Sequence, residues 1–357
     1  MRPIISSYLR MFYKAFKGEI LPLPSRFIAI LFGIFLFMFP LLLDPYITPF
    51  ILLVLTYANI FVIFAVSWDL LSGYTGYVSF GHAAFFGVAG YTSAFLNKIG
   101  FSPWVTIPIG AIIAVVIGLL IGVPCLRLRG PYLALATLAF PIILTGILFV
   151  FPDQPPRGLG GEWGISGLSP LFSGELEIIR RYNYYFSLLL MIGTTFVMWK
   201  ISDSKIGIIL HAIREDEIAA RTCGINTTFY KLLAFSISGF FAGIAGGYYA
   251  HLLRVANRDM LSVFMSFQPI IWTVFGGITT IYGAIGGAYL LYSLPELLHL
   301  AAMKYLFIAG VTVFVLLFMP EGIFNWIRDK IEKECPRCKE RNIATRELCR
   351  VCDAVLD

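Results

Sequence analysis

Charge-free apolar stretches of membrane-spanning length recur along the chain. No Asp, Glu, Lys or Arg interrupts residues 27–43, 45–68, 70–97, 99–126, 130–152, 182–199, 232–253, 260–295 or 305–320. A bilayer-spanning helix needs about 20 mainly apolar residues, so each stretch predicts a span. Stretch 260–295 is too long for one span and carries Gly276, Gly277, Gly283, Gly286 and Gly287, which predicts a helical hairpin turning near Tyr282. The pattern describes an all-α polytopic membrane protein of about ten transmembrane helices.

Composition agrees with the pattern. Apolar residues make up 58% of the 357 and charged residues 13%, against about 25% charged in soluble domains. A lipid-facing surface stays apolar because lipid replaces water as the solvent. An ordinary soluble enzyme and a disordered or collagen-like chain are excluded.

The net charge of +6 follows membrane topology, so nucleic acid is not an expected partner. With ten spans and both termini cytoplasmic, 20 of the 27 Lys and Arg fall on the inner side, as the positive-inside bias requires. Lys98, Arg157, Arg180, Arg181, Arg254, Arg258 and Lys304 fall outside. The expected location is the cytoplasmic (inner) membrane, multi-pass.

Residues 1–26 form a separate cytoplasmic segment. Ile4, Ile5, Tyr8, Leu9, Phe12 and Phe16 recur at helical spacing between Arg10, Lys14 and Lys17. That is the pattern of a basic amphipathic helix lying on membrane lipid. Its interleaved charges do not read as a cleavable signal.

Within the spans, Gly118 and Gly122, Gly239 and Gly243, and Gly283 and Gly287 are each four apart. Small residues at that spacing let helix backbones approach closely, so packing is their expected role. Residues 72–91, SGYTGYVSFGHAAFFGVAGY, differ: Gly73, Gly76, Gly81, Gly87 and Gly90 break an apolar run that holds Ser79 and His82. Broken helices at membrane depth are tolerated where they line a cavity. Ser79, Gly81, His82, Gly87 and the nearby Asp69 are therefore candidates for a translocation path. For His82, a hydrogen bond between helices is an equally good reading, and Asp69 and Glu296 stand at the ends of spans.

Two polar segments carry further signals. Residues 211–231 read HAIREDEIAARTCGINTTFYK, a short amphipathic helix ended by Gly that would present a rigid knob to a cytoplasmic partner. Near the C-terminus, Cys335, Cys338, Cys349 and Cys352 form two Cys-x-x-Cys knuckles ten residues apart. Four thiolates at that spacing close a tetrahedral zinc shell, and a tail this short needs a metal in place of a core. Disulfides are one competing reading, which the reducing cytoplasm disfavours, and iron is the next metal that such a thiolate site suits.

Several separated motifs resemble the LivM-type permease subunit of branched-chain amino acid ABC importers. They are SFGHAAFFGVAGY at 79–91, LRLRGPYLALATLAF at 126–140, GGEWGISGL at 160–168, AIREDEIAARTCGINTTFYKLLAF at 212–235 and GGITTIYGAIGGA at 276–288. The resemblance implies a second permease subunit, separate ABC ATPase subunits and an extracytoplasmic substrate-binding protein as partners. It implies transport of branched-chain or related hydrophobic amino acids. It assigns ATPase coupling to Glu217, Ala219, Ala220 and Gly224, with Ile218 where the generic motif has Ala and Asp69 where Asn is frequent. The tail is not part of that family's pattern.

The chain has no Gly-Lys dipeptide and so no P-loop, which leaves ATP to partner subunits and makes this a transport subunit rather than an enzyme. A channel or secondary transporter for small polar solutes such as amides or urea is the alternative. It would need coupling carboxylates at midplane, and the spans offer only Asp69 and Glu296. An intramembrane enzyme would need a nucleophile and base or a metal cluster within the spans, and neither is present. The expected organisation is a cytoplasmic segment 1–26, a permease domain 27–320, a linker 321–334 and a zinc-ribbon-like tail 335–357 with four cysteine ligands.

Overall fold

The computed structural model describes residues 33–40, 49–125, 131–153, 155–299, 303–337 and 341–343, with 349, 352 and 355. The expected amphipathic segment 1–26, Arg127 and Arg129, and Cys338 lie outside the described residues.

The described residues are mostly helical. The elements are α1 (Pro49–Trp68), α2 (His82–Lys98), α3 (Pro103–Cys125), α4 (Pro131–Val150), α5 (Leu176–Ser202), α6 (Lys205–Glu215), α7 (Glu217–Thr222) and α8 (Thr227–Leu253). They continue with α9 (Val263–Gly276), α10 (Ile281–Leu297), α11 (Lys304–Phe318) and α12 (Ile323–Ile331). Residues 33–40 are also helical. Among the described residues, six helices are long and apolar enough to cross a membrane, and the bent pair α9 and α10, at 114°, makes a seventh candidate.

Burial sorts these helices. The inner half of α1 is buried on every face from Ala58 to Trp68, which marks the centre of the bundle. The outer helices keep large apolar side chains bare, among them Leu120 at 71% exposure, Leu135 at 65% and Leu317 at 74%. That is the surface a lipid-facing helix presents.

The glycine pairs sit at helix contacts. A Cβ on Gly243 would lie 2.8 Å from Ala111 Cα, and one on Gly246 would lie 2.0 Å from the Phe86 carbonyl. These approaches seat α2, α3 and α8 against one another. Gly118 and Gly239 both receive the Phe85 ring, and Gly287 meets the Trp272 carbonyl across the α9–α10 hairpin.

Two breaks depart from plain spans. α1 passes into a π-helical turn, Asp69–Gly73, and residues 76–81 leave the helix before α2 starts at His82. The expected span 70–97 is therefore helical over its second part, because the glycines and Ser79 release the backbone first. At 17 residues, α2 is about 25 Å long, short of the roughly 30 Å hydrocarbon layer. The second break is the hairpin turn between Gly276 and Ile281. It falls slightly before Tyr282, because Gly277 lies against Asn325 and leaves no room for a side chain there.

Both breaks lie at the end of the bundle that carries α6 and α7. At the opposite end, β1 (Ile165–Ser166) pairs antiparallel with β2 (Val255–Ala256). That pairing holds the 160–168 motif against the end of α8 and leaves Trp163 88% exposed. His251 ties the same end together: Nε2 meets Ser93 Oγ at 2.9 Å and Nδ1 meets the Ser169 carbonyl at 2.9 Å.

Candidate coupling and translocation site

The segment between α5 and α8 is built by its caps. Ser204 caps α6 by accepting from the Ile206 N–H at 3.2 Å. Asp216 breaks the helix and restarts it as α7, its Oδ1 accepting from the Ile218 and Ala219 N–H groups at 2.8 and 3.0 Å. Gly224 ends the knob at φ +83°, and the Ile225 N–H reaches back to the Ala220 carbonyl at 3.2 Å. A left-handed residue after a helix end is where glycine alone carries no Cβ strain. Asn226 then caps α8 through the Phe229 N–H at 3.1 Å.

The four expected coupling residues divide between the two sides of α7. Ala219 and Gly224 are exposed beside Ile218, Thr222 and Cys223, whereas Ala220 is buried. Glu217 points inward and collects donors. Oε1 accepts from Lys231 Nζ and Arg221 Nη2, each at 2.5 Å, and from Thr227 Oγ1 at 3.2 Å. Oε2 accepts from the Tyr77 hydroxyl, which in turn accepts from Lys231 Nζ at 2.5 Å. Burial pushes the Glu217 carboxyl up, but the hydrogen bonds from Lys231 and Tyr77 and the charges of Lys231 and Arg221 outweigh it and hold it at about 2.

Tyr77 belongs to residues 74–81, a strap between the π-helical turn and α2. Tyr74 accepts from Ser202 Oγ at 2.8 Å, and its ring lies 4.8 Å from that of His211. Gly76 faces Arg214. Further on, the Ser79 carbonyl accepts from Trp68 Nε1 at 2.8 Å, and the Phe80 N–H donates to Thr137 Oγ1 at 3.1 Å. Ser79 and Gly81 line a crevice with Phe85, Thr137, Phe140 and Phe235, between α2, α3, α4 and α8. Most of its wall is apolar, with hydroxyls at Ser79 and Thr137.

The other three path candidates lie at helix contacts. His82 is fully buried at the start of α2, with Nε2 2.9 Å from Ser67 Oγ on α1. Gly87 receives the Leu261 side chain. Asp69 is fully buried in the π-helical turn, and its Oδ1 accepts from the Thr279 N–H at 2.9 Å. It thereby joins the first break to the second. Glu296 pairs with Lys304.

The tail holds a second site. α12 passes into β3 (Glu332–Glu334), which pairs antiparallel with β4 (Arg341–Ile343). Residues 321–334 are thus mostly helix and strand. Cys335, Cys349 and Cys352 bring their sulfurs within 4.8 Å of one another, with Cys335 and Cys349 buried. The Cys335 and Cys352 sulfurs are 3.5 Å apart, and Asn342 Nδ2 donates to Cys349 Sγ at 3.5 Å. Thiolates in a tetrahedral zinc shell stand about 3.8 Å apart, given Zn–S bonds near 2.3 Å. The donor set fits a thiophilic metal, and this cysteine cluster could bind one.

Sequence reading missed Tyr77, Tyr74 and Lys231. Lys231 carried a signal, as a charge at the very edge of span 232–253. Nothing local could pair it with a carboxylate fourteen residues earlier or a tyrosine far upstream.

A bundle of apolar helices, broken at one end beside a capped knob and a polar-tipped crevice, is an integral membrane protein of the transporter class. The chain matches the family described as branched-chain amino acid transport system, permease component, over residues 50–316, and it belongs to that family. It is similar to the high-affinity branched-chain amino acid transport system permease protein LivM of Salmonella typhimurium, 28% identical over 306 residues, which are 80% of this chain and 72% of the relative. The LivM protein of Escherichia coli is 29% identical over 303 residues, 78% of this chain and 70% of the relative. A probable branched-chain amino acid transport permease protein LivH of Methanocaldococcus jannaschii is 25% identical over 249 residues, 66% of this chain and 76% of the relative. No solved structure matches the chain significantly.

Proposed function

We propose that this chain is the permease subunit of an ABC importer that carries branched-chain or related hydrophobic amino acids across the cytoplasmic membrane. Family membership over residues 50–316 is the observation that carries this reading. The doubly capped α6–α7 knob supports its mechanism. Ile218, 65% exposed, Ala219, Thr222 and Cys223 form the face on which a separate ATPase subunit docks. ATP is handled only there, and this chain supplies no step of its hydrolysis. A second permease subunit completes the path, and an extracytoplasmic binding protein delivers substrate at the end that carries Trp163. Both termini and α7 are cytoplasmic in this reading, in line with the Lys and Arg distribution.

The translocation path runs along the crevice at Ser79 and Gly81, whose walls are mostly apolar and which must widen before an amino acid fits, since here it is about the size of one water molecule. His82, Gly87 and Asp69 support it from behind by fixing α2 and the break to their neighbours. The channel or secondary-transporter alternative needs coupling carboxylates at midplane, whereas Asp69 and Glu296 stand at the ends of spans and Glu296 pairs with Lys304. The test is to purify the chain with its co-expressed neighbours and measure ATP-dependent uptake of radiolabelled leucine in proteoliposomes. Association with two ATPases and saturable uptake is the expected result. Uptake that proceeds without ATPases would overturn the reading.

In the tail, zinc is held by Cys335, Cys338, Cys349 and Cys352, with Asn342 steadying one sulfur. Bound there, zinc supplies structure and no redox chemistry. Metal analysis of the purified chain should give close to one equivalent of zinc, lost in Cys335→Ser.

A further inference from the structure

The strap has two ends with different attachments. Its first half meets the coupling segment and the helices that flank it at three successive points: Tyr74 bonds Ser202 at the end of α5 and packs on His211 of α6, Gly76 lies under Arg214 of α6, and Tyr77 bonds Glu217 of α7 and Lys231 of α8. Its second half is crevice wall, through Ser79 and Gly81. Between Tyr77 and Ser79 stands one residue, Val78. A shift of α7 is therefore delivered to the crevice over two peptide bonds, and no helix needs to tilt first.

The fastening at Tyr77 is the strongest of the three. Its hydroxyl bridges a carboxylate and an ammonium, donating to Glu217 and accepting from Lys231 at 2.5 Å. Hydrogen bonds to charged groups are worth about twice neutral ones. Lys231 is 3% exposed, and a buried ammonium parted from its carboxylate is costly, so the cluster resists separation and moves as a unit. Gly76, directly before it, has φ +74° and Arg214 packed over it, so the strap lies close against α6 where it turns.

We propose that Tyr77 is the positioning residue through which the coupling segment opens and closes the crevice at Ser79. This rests on the reading of α6–α7 as the ATPase-coupling segment. It adds the route by which the motion reaches the path.

The test uses the assembled transporter with Ser79→Cys and a hydrophilic methanethiosulfonate reagent. Modification is read on the peptide containing residue 79 by mass spectrometry, so that other cysteines do not count. With Tyr77 intact, the labelling rate should differ between the nucleotide-free and the ATP-trapped complex. Tyr77→Phe keeps the ring and removes the bridge. It should bring the two rates together and lower leucine uptake by about tenfold, the scale of one lost charge-assisted hydrogen bond, while ATP hydrolysis continues. An unchanged difference between the two states in Tyr77→Phe overturns the proposal. If the Phe variant fails to assemble, 4-hydroxymethylphenylalanine in place of Tyr77 restores a hydroxyl that both donates and accepts. Recovery of both assembly and the nucleotide-dependent difference supports the bridge, and recovery of assembly alone overturns it. Failure of the underlying reading looks different: no ATPase co-purifies, or residue 79 labels identically in both states with Tyr77 intact, and either result removes the proposal with it.

Discussion

The two breaks in the bundle meet at one hydrogen bond, from the Thr279 N–H to Asp69, yet they are built from opposite materials. The break after α1 is long and polar, and it is held by side chains: hydroxyls, a carboxylate and an ammonium fasten residues 74–77 to α5, α7 and α8, and Arg214 of α6 packs over Gly76. The break after α9 is short, and apart from Asp69 and the Asn325 side chain it is held by backbone on backbone. A Cβ on Gly322 would lie 2.5 Å from Gly277 Cα, and one on Gly276 would lie 1.9 Å from the Gly283 carbonyl. Side-chain fastenings can be broken and remade at the scale of single hydrogen bonds, whereas interlocked backbones give way only by unfolding locally. The first break therefore suits motion, and the second suits a fixed seat for α12 and the tail beyond it.

The comparison breaks most visibly at the second seat. Gly322 and Gly76 both have positive φ, +91° and +74°, so alanine is strained at either, and Gly322, with ψ 157°, lies in backbone space that is essentially reserved for glycine. Only Gly322→Ala also drives a methyl into backbone. It should cost about 3 kcal/mol or more in all, and Gly76→Ala less, because Arg214 Cγ, at 3.0 Å, belongs to a flexible side chain that can shift. Thermal unfolding in detergent reads both. Equal losses would mean that the two breaks are equally rigid.

The shared bond comes next in size. Asp69→Ala leaves the Thr279 N–H without its acceptor in a buried site and should destabilise the chain by about 1–3 kcal/mol. Asp69→Asn keeps an oxygen where Oδ1 stands and should stay close to the unchanged protein in the same assay. If Asn proves as damaging as Ala, the charge of Asp69 matters and the hydrogen bond alone does not explain the residue.

These two breaks also mark how far the sequence could be read. Span-length apolar runs predict the helices directly, because the periodic demand of a bilayer is written into composition. The glycine-rich stretch 72–91 betrays the first break, and the glycines at 276–287 betray the hairpin. The end of α7 is legible because Gly224 acts on its immediate neighbours, whereas the Asp216 and Asn226 caps emerge only with the structure. The contacts that join the parts are not legible. Tyr77 meets Glu217 across 140 positions, and Asp69 meets Thr279 across 210, and only the packed fold brings such residues together. The cysteines of the tail stand between these cases: spacing singles out four candidates, and the fold brings Cys335, Cys349 and Cys352 together.

A smaller effect tests the coupling segment itself. Gly224 has φ +83°, and a Cβ there meets nothing within 4 Å. Gly224→Val therefore adds left-handed strain without a clash, about 1–2 kcal/mol confined to the end of α7. Membrane levels and assembly should hold while uptake per ATP hydrolysed falls. Normal coupling in this variant would show that the shape of the knob after Thr222 does not matter for transmission.

The smallest effect is a pair of pH windows along the strap. Burial lowers the His211 imidazole below its ordinary 6.5, with the charge of Arg214 adding to it and that of Glu215 opposing. A depressed folded value means that the stability from neutral His211 is present above about 6.5 and is lost as pH falls below it. Glu217 also has a depressed folded value, about 2 against an ordinary 4.5, so its contacts hold above about 4.5 and are lost as pH falls from there toward 2. The Tyr74 end of the strap should loosen first, between neutrality and mild acid, while the Tyr77 end stays fastened. Hydrogen exchange of the 74–81 and 217–222 amides across pH 7 to 4, corrected for intrinsic rates, reads the two ends separately. Faster exchange near Tyr74 with unchanged protection in α7 is the expected outcome. His211→Gln should abolish the first window and leave the second, because it removes the titrating ring and leaves the Glu217 cluster intact. Loss of protection at α7 above pH 4.5 would mean that Lys231, Tyr77 and Arg221 do not hold the carboxylate as the geometry requires.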